Sequence, residues 1–282
     1  MKIYRRQGFT LIELSIVLVI IGLIVGGILV GRDLIIVAEH RQAVTDLEKL
    51  KTSIATFKNK YNCLPGDCAN ATDFFSCVDD ATPNAIGGNN PCNGTGNELY
   101  DSDNGTAGTR HQTFEGSLRV WEQLGDAGLP FLGTYSGLWT NNGVVGWVPG
   151  VNTPKLSWGG SDYFGYPIGI YLISGTLCWW INGCEEYQLG ILANPLPQNT
   201  IVLDGIASGN NEFTGGFGAV NSELASYIDT KTDDGLPLSG QVREFYYPPG
   251  AGYLQDCTDG TDNPGQPYAQ NSFCKLLVNV GL

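Results

Sequence analysis

Between Arg6 and Arg32 there is no Lys or Arg, no proline occurs before Pro65, and no cysteine before Cys63. The first absence leaves one long stretch with a single charge, Glu13; the second removes the residue that most often breaks or kinks a helix. The third confines any crosslink to the later part of the chain. Histidine is almost missing: His40 and His111 are the two in 282 residues. A Ser-His-Asp or Cys-His arrangement in the later part would rest on His111 alone, within a glycine-rich stretch. No Cys-x-x-Cys supports a zinc site, and no Gly-x-x-x-x-Gly-Lys loop supports phosphate binding. Basic residues are also scarce, 15 against 28 acids. Residues 61–282 hold 23 acids and 6 bases, net −17. That excludes the clustered Lys and Arg that phosphate backbones require, so no nucleic acid is expected as a partner. An enzyme is not expected either.

What is present begins with an uncharged run from Leu14 to Gly31. Its eighteen apolar or small residues suffice to cross a bilayer core, with Glu13 about one helical turn inside. A carboxylate there is unfavourable unless it has a partner. With no nearby base in the run, the partner must be created by processing or supplied by another chain. Cleavage between Gly8 and Phe9 does both, since it frees an amine on Phe9 that can meet Glu13 of a neighbouring copy. Lys2, Arg5 and Arg6 precede this junction without an acid. By the positive-inside rule they stay cytoplasmic and everything past Gly31 faces outward. A secretory signal peptide is cut after its apolar core; here the junction precedes it, so the helix stays attached. Gly22 with Gly26 and Gly27 with Gly31 form Gly-x-x-x-Gly pairs that allow close approach of another helix.

Gly8-Phe9-Thr10-Leu11-Ile12-Glu13 followed by SIVLVIIGLIVGGILVG resembles the prepilin signature of type IV pilins and type II secretion pseudopilins. The resemblance implies cleavage after Gly8 by a cytoplasm-facing prepilin peptidase and N-methylation of Phe9. It also implies pairing of Glu13 with a neighbour's amino terminus during assembly. Many members carry a proline midway along this helix, where the middle segment melts or kinks; this chain has none, although Gly22, Gly26, Gly27 and Gly31 weaken the helix at that level. KYNCLPGDCANATDFF, SLRVWEQLGDAGL and YIDTKTDDGLPLSGQVREF are similar to segments of a branch of large pilin-like proteins in Gram-negative bacteria.

Past the span, Val44, Leu47, Leu50, Ile54, Phe57 and Tyr61 recur at helical spacing. The stem is therefore expected to continue as an amphipathic helix until Leu64-Pro65-Gly66, making a rod of roughly 78 Å from Phe9 to Lys60. Its outer half should pack on its own head, leaving the inner half for lipid and neighbours. Residues 79–109 carry no sustained pattern and are expected as a surface insertion. The spacing of Leu118, Trp121 and Leu124 predicts a short helix over 115–126. Segments 168–173, 177–181, 186–192 and 200–206 read as strands whose short connections suggest a β-meander. Asn221 to Lys231 offers an N-cap and a Leu224, Tyr227, Ile228 face, so a second small helix is expected. The predicted class is α+β: a long helical stem packed on a disulfide-stabilised antiparallel sheet.

All eight cysteines follow the stem, on the side where an oxidising periplasm permits disulfides. Eight allow 105 connectivities. Cys178 with Cys184 flanks a turn containing Asn182-Gly183, and Cys257 with Cys274 closes a polar loop. The latter resembles the disulfide-bounded loop near the C-terminus of many type IV pilins. Cys63 with Cys68 and Cys77 with Cys92 follow by elimination. Three acidic groups lie in Gly-, Asn- or Thr-rich surroundings: Asp101 and Asp103; Asp229, Asp233 and Asp234; and Asp256, Asp259 and Asp262. These could supply calcium ligands, and the resemblance to pseudopilins favours the last group. Solvated turn carboxylates are the default, with no cofactor.

The expected organisation is a leader over 1–8, a transmembrane half-stem over 9–31, an amphipathic half-stem over 32–62 and an exported head over 63–282. The resemblance implies a precursor in the inner membrane, N-terminus in, that joins other pilin or pseudopilin subunits on a filament assembly platform. Its destination would be a periplasmic or cell-surface filament, with a minor or tip-located role suggested by the large head. The alternative is a membrane-anchored or tip adhesin. For it, Trp139, Trp147, Trp158, Trp179 and Trp180 are candidate contacts, although at strand spacing tryptophans more often pack in a core.

Overall fold

The computed structural model describes residues 8–76, 92–98, 112–129, 131–137, 140–141, 144–145, 148–158, 168–173, 199–205, 220–244, 257, 265–270 and 272–281. One helix dominates them. Helix α1 runs unbroken from Leu11 to Tyr61, 51 residues or about 76 Å at 1.5 Å per residue. Its start is a capping box: the Thr10 hydroxyl accepts from Glu13 N, and the Glu13 carboxylate accepts from Thr10 N, satisfying donors that the first turn would otherwise leave open. Its end is Asn62 in the left-handed region (φ 57°), whose N–H returns to Lys58 O.

The two halves of α1 meet different surroundings. From Leu11 to Val30 every side chain is exposed, whereas Ala43, Asp46, Leu47, Leu50, Ile54 and Phe57 are buried. The buried set recurs every three to four residues and forms one face, with Val44 and Tyr61 half-buried at its edges. Against that face pack helix α2 (Gln112–Asp126) and helix α3 (Ser222–Thr232). Helix α2 buries the expected Leu118, Trp121 and Leu124. Helix α3 is capped by Asn221, whose side chain accepts from Leu224 N at 2.8 Å. It buries Leu224 and Ile228, while Tyr227 is only half-buried and meets the His40 ring of α1 at 5.2 Å.

The strands in chain order are β1 (Thr140–Asn141), β2 (Val144–Val145), β3 (Ile168–Ile173), β4 (Thr200–Gly205), β5 (Val220–Asn221), β6 (Val242–Glu244), β7 (Phe273–Cys274) and β8 (Leu276–Asn279). The main sheet is antiparallel with order β3-β4-β8-β6, and β1-β2 and β5-β7 form two small pairs. Ile170 lies opposite Leu203, which lies opposite Leu276, and Ile201 opposite Val278, which lies opposite Val242. These side chains join α1 in one core, while Val202 and Leu277, paired on the alternate face, are buried too. The expectation of a meander needs correction. Strand β3 pairs residue for residue with β4, from Ile168↔Gly205 to Ile173↔Thr200, so segments 168–173 and 200–206 are direct partners rather than the two ends of a four-strand meander. The next strand beside β4 comes from near the C-terminus. Hydrophobic register on a buried face selects such pairings over short connections. Segments 177–181 and 186–192 lie outside the described residues.

Ile54 is fully buried and Ile24 is 52% exposed. Ile54→Ala is therefore expected to destabilise the head by about 2–5 kcal/mol, while Ile24→Ala leaves its stability unchanged. Urea unfolding of the full-length chain in detergent, followed by tryptophan fluorescence, measures both.

Candidate assembly site

Gly8 and Phe9 precede the N-cap, and Phe9 is 87% exposed. Thr10 N and Thr10 Oγ1 both donate to Glu13 Oε2 at 2.8 Å. Both bonds fall on one oxygen; Oε1 receives none of them. The junction, an exposed aromatic and a half-engaged carboxylate thus share one helix end. Thr10 is the residue that sequence reasoning passed over. Its signal was legible as a Ser/Thr-x-x-Glu pattern before an apolar run.

Further along α1, a Cβ built on Gly22, Gly26, Gly27 or Gly31 would meet nothing within 4 Å. Nothing in the subunit's own packing requires glycine there, although each weakens a helix by about 1 kcal/mol relative to alanine. This part of α1 is long and apolar enough to cross a membrane, and every side chain from Leu11 to Val30 is exposed.

The head is held at a defined place on this stem by a buried acid. Asp46 is inaccessible to solvent. It accepts from Trp158 Nε1 at 3.0 Å and from Gln42 Nε2 at 2.8 Å, with Lys49 Nζ 3.6 Å away. A buried carboxylate needs such donors, and the indole N–H fixes one point of the head to one turn of α1. Trp158 is 1% exposed, a core residue rather than a contact for ligands. Trp139, Trp147, Trp179 and Trp180 lie outside the described residues.

The upper end of the stem is tied to the segment 92–98. Asp67 Oδ1 accepts from Thr95 N (3.1 Å), Thr95 Oγ1 (2.9 Å) and Gly96 N (2.9 Å), and Oδ2 from Glu98 N (2.7 Å). A Cβ on Gly94 would strike the Asp67 backbone, so glycine is needed at that approach. Gln123 bridges Gly66 N and Cys92 O from α2, and Lys58 pairs with Glu98 at 3.0 Å. Cys63 is bonded to Cys68 and Cys257 to Cys274, each with Cα atoms 5.2 Å apart. Cys92 is disulfide-bonded as well. Its partner lies outside the described residues, as do Cys77, Cys178 and Cys184. With Cys257 and Cys274 joined to each other, neither offers a thiolate to a metal.

Asp256, Asp259 and Asp262 also lie outside the described residues, as do Asp101 and Asp103. Asp229, Asp233 and Asp234 have carboxylate oxygens within 4.8 Å of one another, yet each is engaged by protein donors. Asp229 accepts from Tyr268 Oη and Gly235 N, Asp233 from Gln241 N and Val242 N, and Asp234 from Leu236 N and Ser239 Oγ. They shape the turn after α3 and dock the disulfide-bounded segment through Tyr268. Burial pushes the Asp229 carboxyl up to about 6, against the opposing effect of the Tyr268 and Gly235 hydrogen bonds. Burial, and then the Asp229 charge, raises the Tyr268 phenol above its usual range. On the facing side of α1, burial lowers the Lys51 ammonium, opposed by Asp233 and Glu48.

With this geometry in place, the family description "Prokaryotic N-terminal methylation motif" matches residues 3–29. That segment holds the expected junction Gly8–Phe9, Glu13 and most of the exposed apolar half of α1. It is the signature of type IV pilins and pseudopilins, which are structural subunits rather than enzymes. The motif supports a pilin-like subunit and the apolar helix fits a membrane-anchored precursor, while processing by prepilin peptidase and assembly with other pilin subunits are what the motif implies. No curated protein and no solved structure matches the chain.

The raised Asp229 carboxyl has a definite sign. Between the ordinary 3.8 and about 6, the folded state holds a proton that the unfolded state has lost, so this group adds stability as pH falls through 6 and loses it as pH rises. Asp229→Asn keeps an acceptor for Gly235 N and offers a donor to Tyr268. It is expected to match or exceed the wild type in thermal midpoint at pH 7.5, and to lack this part of the gain on acidification to pH 4. Melting curves of both proteins across that window check it.

Proposed function

We propose that this protein is a minor pilin or pseudopilin, built into a type IV pilus or secretion pseudopilus through α1 after cleavage between Gly8 and Phe9 and methylation of Phe9. One observation carries the reading: the methylation motif over residues 3–29 opens a helix whose first half the subunit leaves wholly uncovered. Lipid covers that half in the precursor. In a filament the stems of other subunits replace the lipid, and Gly22, Gly26, Gly27 and Gly31 let their backbones approach.

Glu13 supplies the register. In the single subunit its Oε2 caps the helix through Thr10, leaving Oε1 for the amine of a neighbour's Phe9. Within lipid or a bundle of stems an ion pair of this kind is worth far more than at a wet surface, because an unpaired carboxylate there is so unfavourable. A neighbour seated correctly satisfies the charge, and one seated a turn away does not. The head of 63–282 is larger than packing of the stem demands, which supports a minor or tip position. Head recognition of a ligand would be an added role of such a subunit, and calcium at Asp256, Asp259 and Asp262 an added feature of its outer loop.

Glu13→Ala is expected to reduce the protein in sheared filaments by about tenfold or more while tryptophan fluorescence shows an unchanged head. Incorporation at the wild-type level would reject the role given to Glu13. Gly8→Glu is expected to leave the precursor uncut: intact mass should show residues 1–8 retained and no added methyl group.

A further inference from the structure

The exposed apolar surface of α1 does not stop at the charged pair Arg32 and Asp33, because Leu34, Ile35 and Val37 beyond it are exposed too. From Leu11 to Arg32 the helix rises about 32 Å, close to the ~30 Å of a bilayer's hydrocarbon core. The next five residues, to Val37, add about 7.5 Å. That is the depth of one headgroup layer in a bilayer about 40–45 Å thick overall. The exposed polar residues Glu39, Arg41 and Gln42 follow. The two charges also have a definite side. Ile36 and His40 are half-buried, and at about 100° per residue they fall on the line of Ala43, Leu47, Leu50 and Ile54 that the head covers. The head reaches down to this level, since Tyr227 of α3 meets the His40 ring at 5.2 Å. Arg32 and Asp33 stand one turn below Ile36, about 40° to one side of it and about 60° to the other. Both are exposed beneath the head, and neither has a hydrogen bond or ion pair among the described residues.

We propose that residues 32–37 dock into the headgroup layer of the outward leaflet, where Arg32 takes the phosphate and Asp33 the ammonium of a zwitterionic aminophospholipid lodged beneath the head. The inference rests on the membrane-anchored precursor proposed above and fixes how deep its stem sits. A guanidinium matches a phosphate through its fork of N–H donors, and a carboxylate accepts from an ammonium. Adjacent helical positions do not face each other, so Arg32 and Asp33 cannot satisfy one another, whereas one headgroup carrying both charges answers both. A purely anionic headgroup would serve Arg32 and leave Asp33 without a partner. On the other sides of the helix Leu34, Ile35 and Val37 continue the apolar surface of the span, so the lipid that covers Leu11 to Val30 covers them as well. The pair also acts as a depth stop. Sinking by a turn would carry both charges into hydrocarbon, which is strongly unfavourable, and rising by a turn would strip lipid from the collar. The head is thereby held against the membrane surface until the subunit leaves it.

The test uses the full-length precursor in nanodiscs of equal parts phosphatidylethanolamine and phosphatidylglycerol, with a photoreactive benzophenone amino acid replacing Leu18, Leu34, Val37 or Thr45 in turn. Intact mass after irradiation is the readout. Phospholipid adducts are expected at Leu18, Leu34 and Val37, and none at Thr45, which is exposed higher on the stem. Val37 lies about 40° round the helix from Asp33, so its adducts should be richer in phosphatidylethanolamine than those at Leu18 by about two- to fivefold, the reach of one exposed ion pair. Asp33→Asn should bring the ratio at Val37 to that at Leu18, and Arg32→Glu, which repels the phosphate, should lower the lipid adduct at Val37 by a similar factor. Unchanged tryptophan fluorescence shows that the head of each variant is folded. Lipid adducts at Leu18 without any at Leu34 and Val37 overturn the docking of the collar and leave the membrane anchor standing. So do protein–protein adducts there in place of lipid, and so does an equal lipid ratio at Val37 in the wild type and Asp33→Asn. No lipid adduct at Leu18 overturns the anchor, and the collar with it.

Discussion

A single helix has to satisfy two solvents. In lipid every backbone donor and acceptor must be paired within the segment, and α1 meets that demand by running without a break through Leu11–Tyr61. In the head the same helix must present an apolar face to a sheet and two other helices, which it does from Ala43 to Phe57. Because both tasks belong to one continuous rod, the orientation of the head follows from the orientation of the stem. Any helical rotation that moved Leu47, Leu50 and Ile54 out of the core would also turn Gly22 to Gly31, which lie on the same unbroken helix.

The remaining contacts make that coupling specific. Apolar burial alone tolerates sliding by a turn, since Leu47, Leu50 and Ile54 are near equivalents. The Asp46–Trp158 bond does not, because a buried carboxylate displaced from its donors is strongly unfavourable. At the upper end, Asp67, Gln123, the Lys58–Glu98 pair and the Cys63–Cys68 bond hold the segment after the helix against α2 and residues 92–98. Near the C-terminus, Asp229 and the Cys257–Cys274 bond bring the last segment back onto α3 and β5.

The pattern of charges fits a protein that works by assembly. Carboxylates inside the head are used as acceptors for turns and caps, as at Asp67, Asp229 and Asp233, and a Cβ on Gly240 (φ 73°) would collide with the last of these. Along the exposed stem, Glu13 Oε1 at one end of the apolar run, and Arg32 and Asp33 at the other, have no hydrogen bond or ion pair among the described residues.

Much of this was readable from local pattern. The span, the amphipathic half-stem, the short helices with their Leu118–Trp121–Leu124 and Leu224–Ile228 faces, and strands β3 and β4 all depend on periods and end signals contained in a few consecutive residues. So does the Thr10 cap, which was present in the letters and missed. The partner strands were not readable: β4 lies between β3 and β8 because their inward side chains match across the core, a condition that joins residues 27 to 37 positions apart on one side and 73 to 79 on the other. Likewise nothing in the local sequence around Asp46 marks it as buried, or names Trp158 as its donor 112 residues away. The chain by itself determined a rod with one charged group at the head of its apolar half. Only tertiary packing decided which face of that rod the head would cover, and hence which face was left for other molecules, because burial is a property of the whole folded surface rather than of any segment.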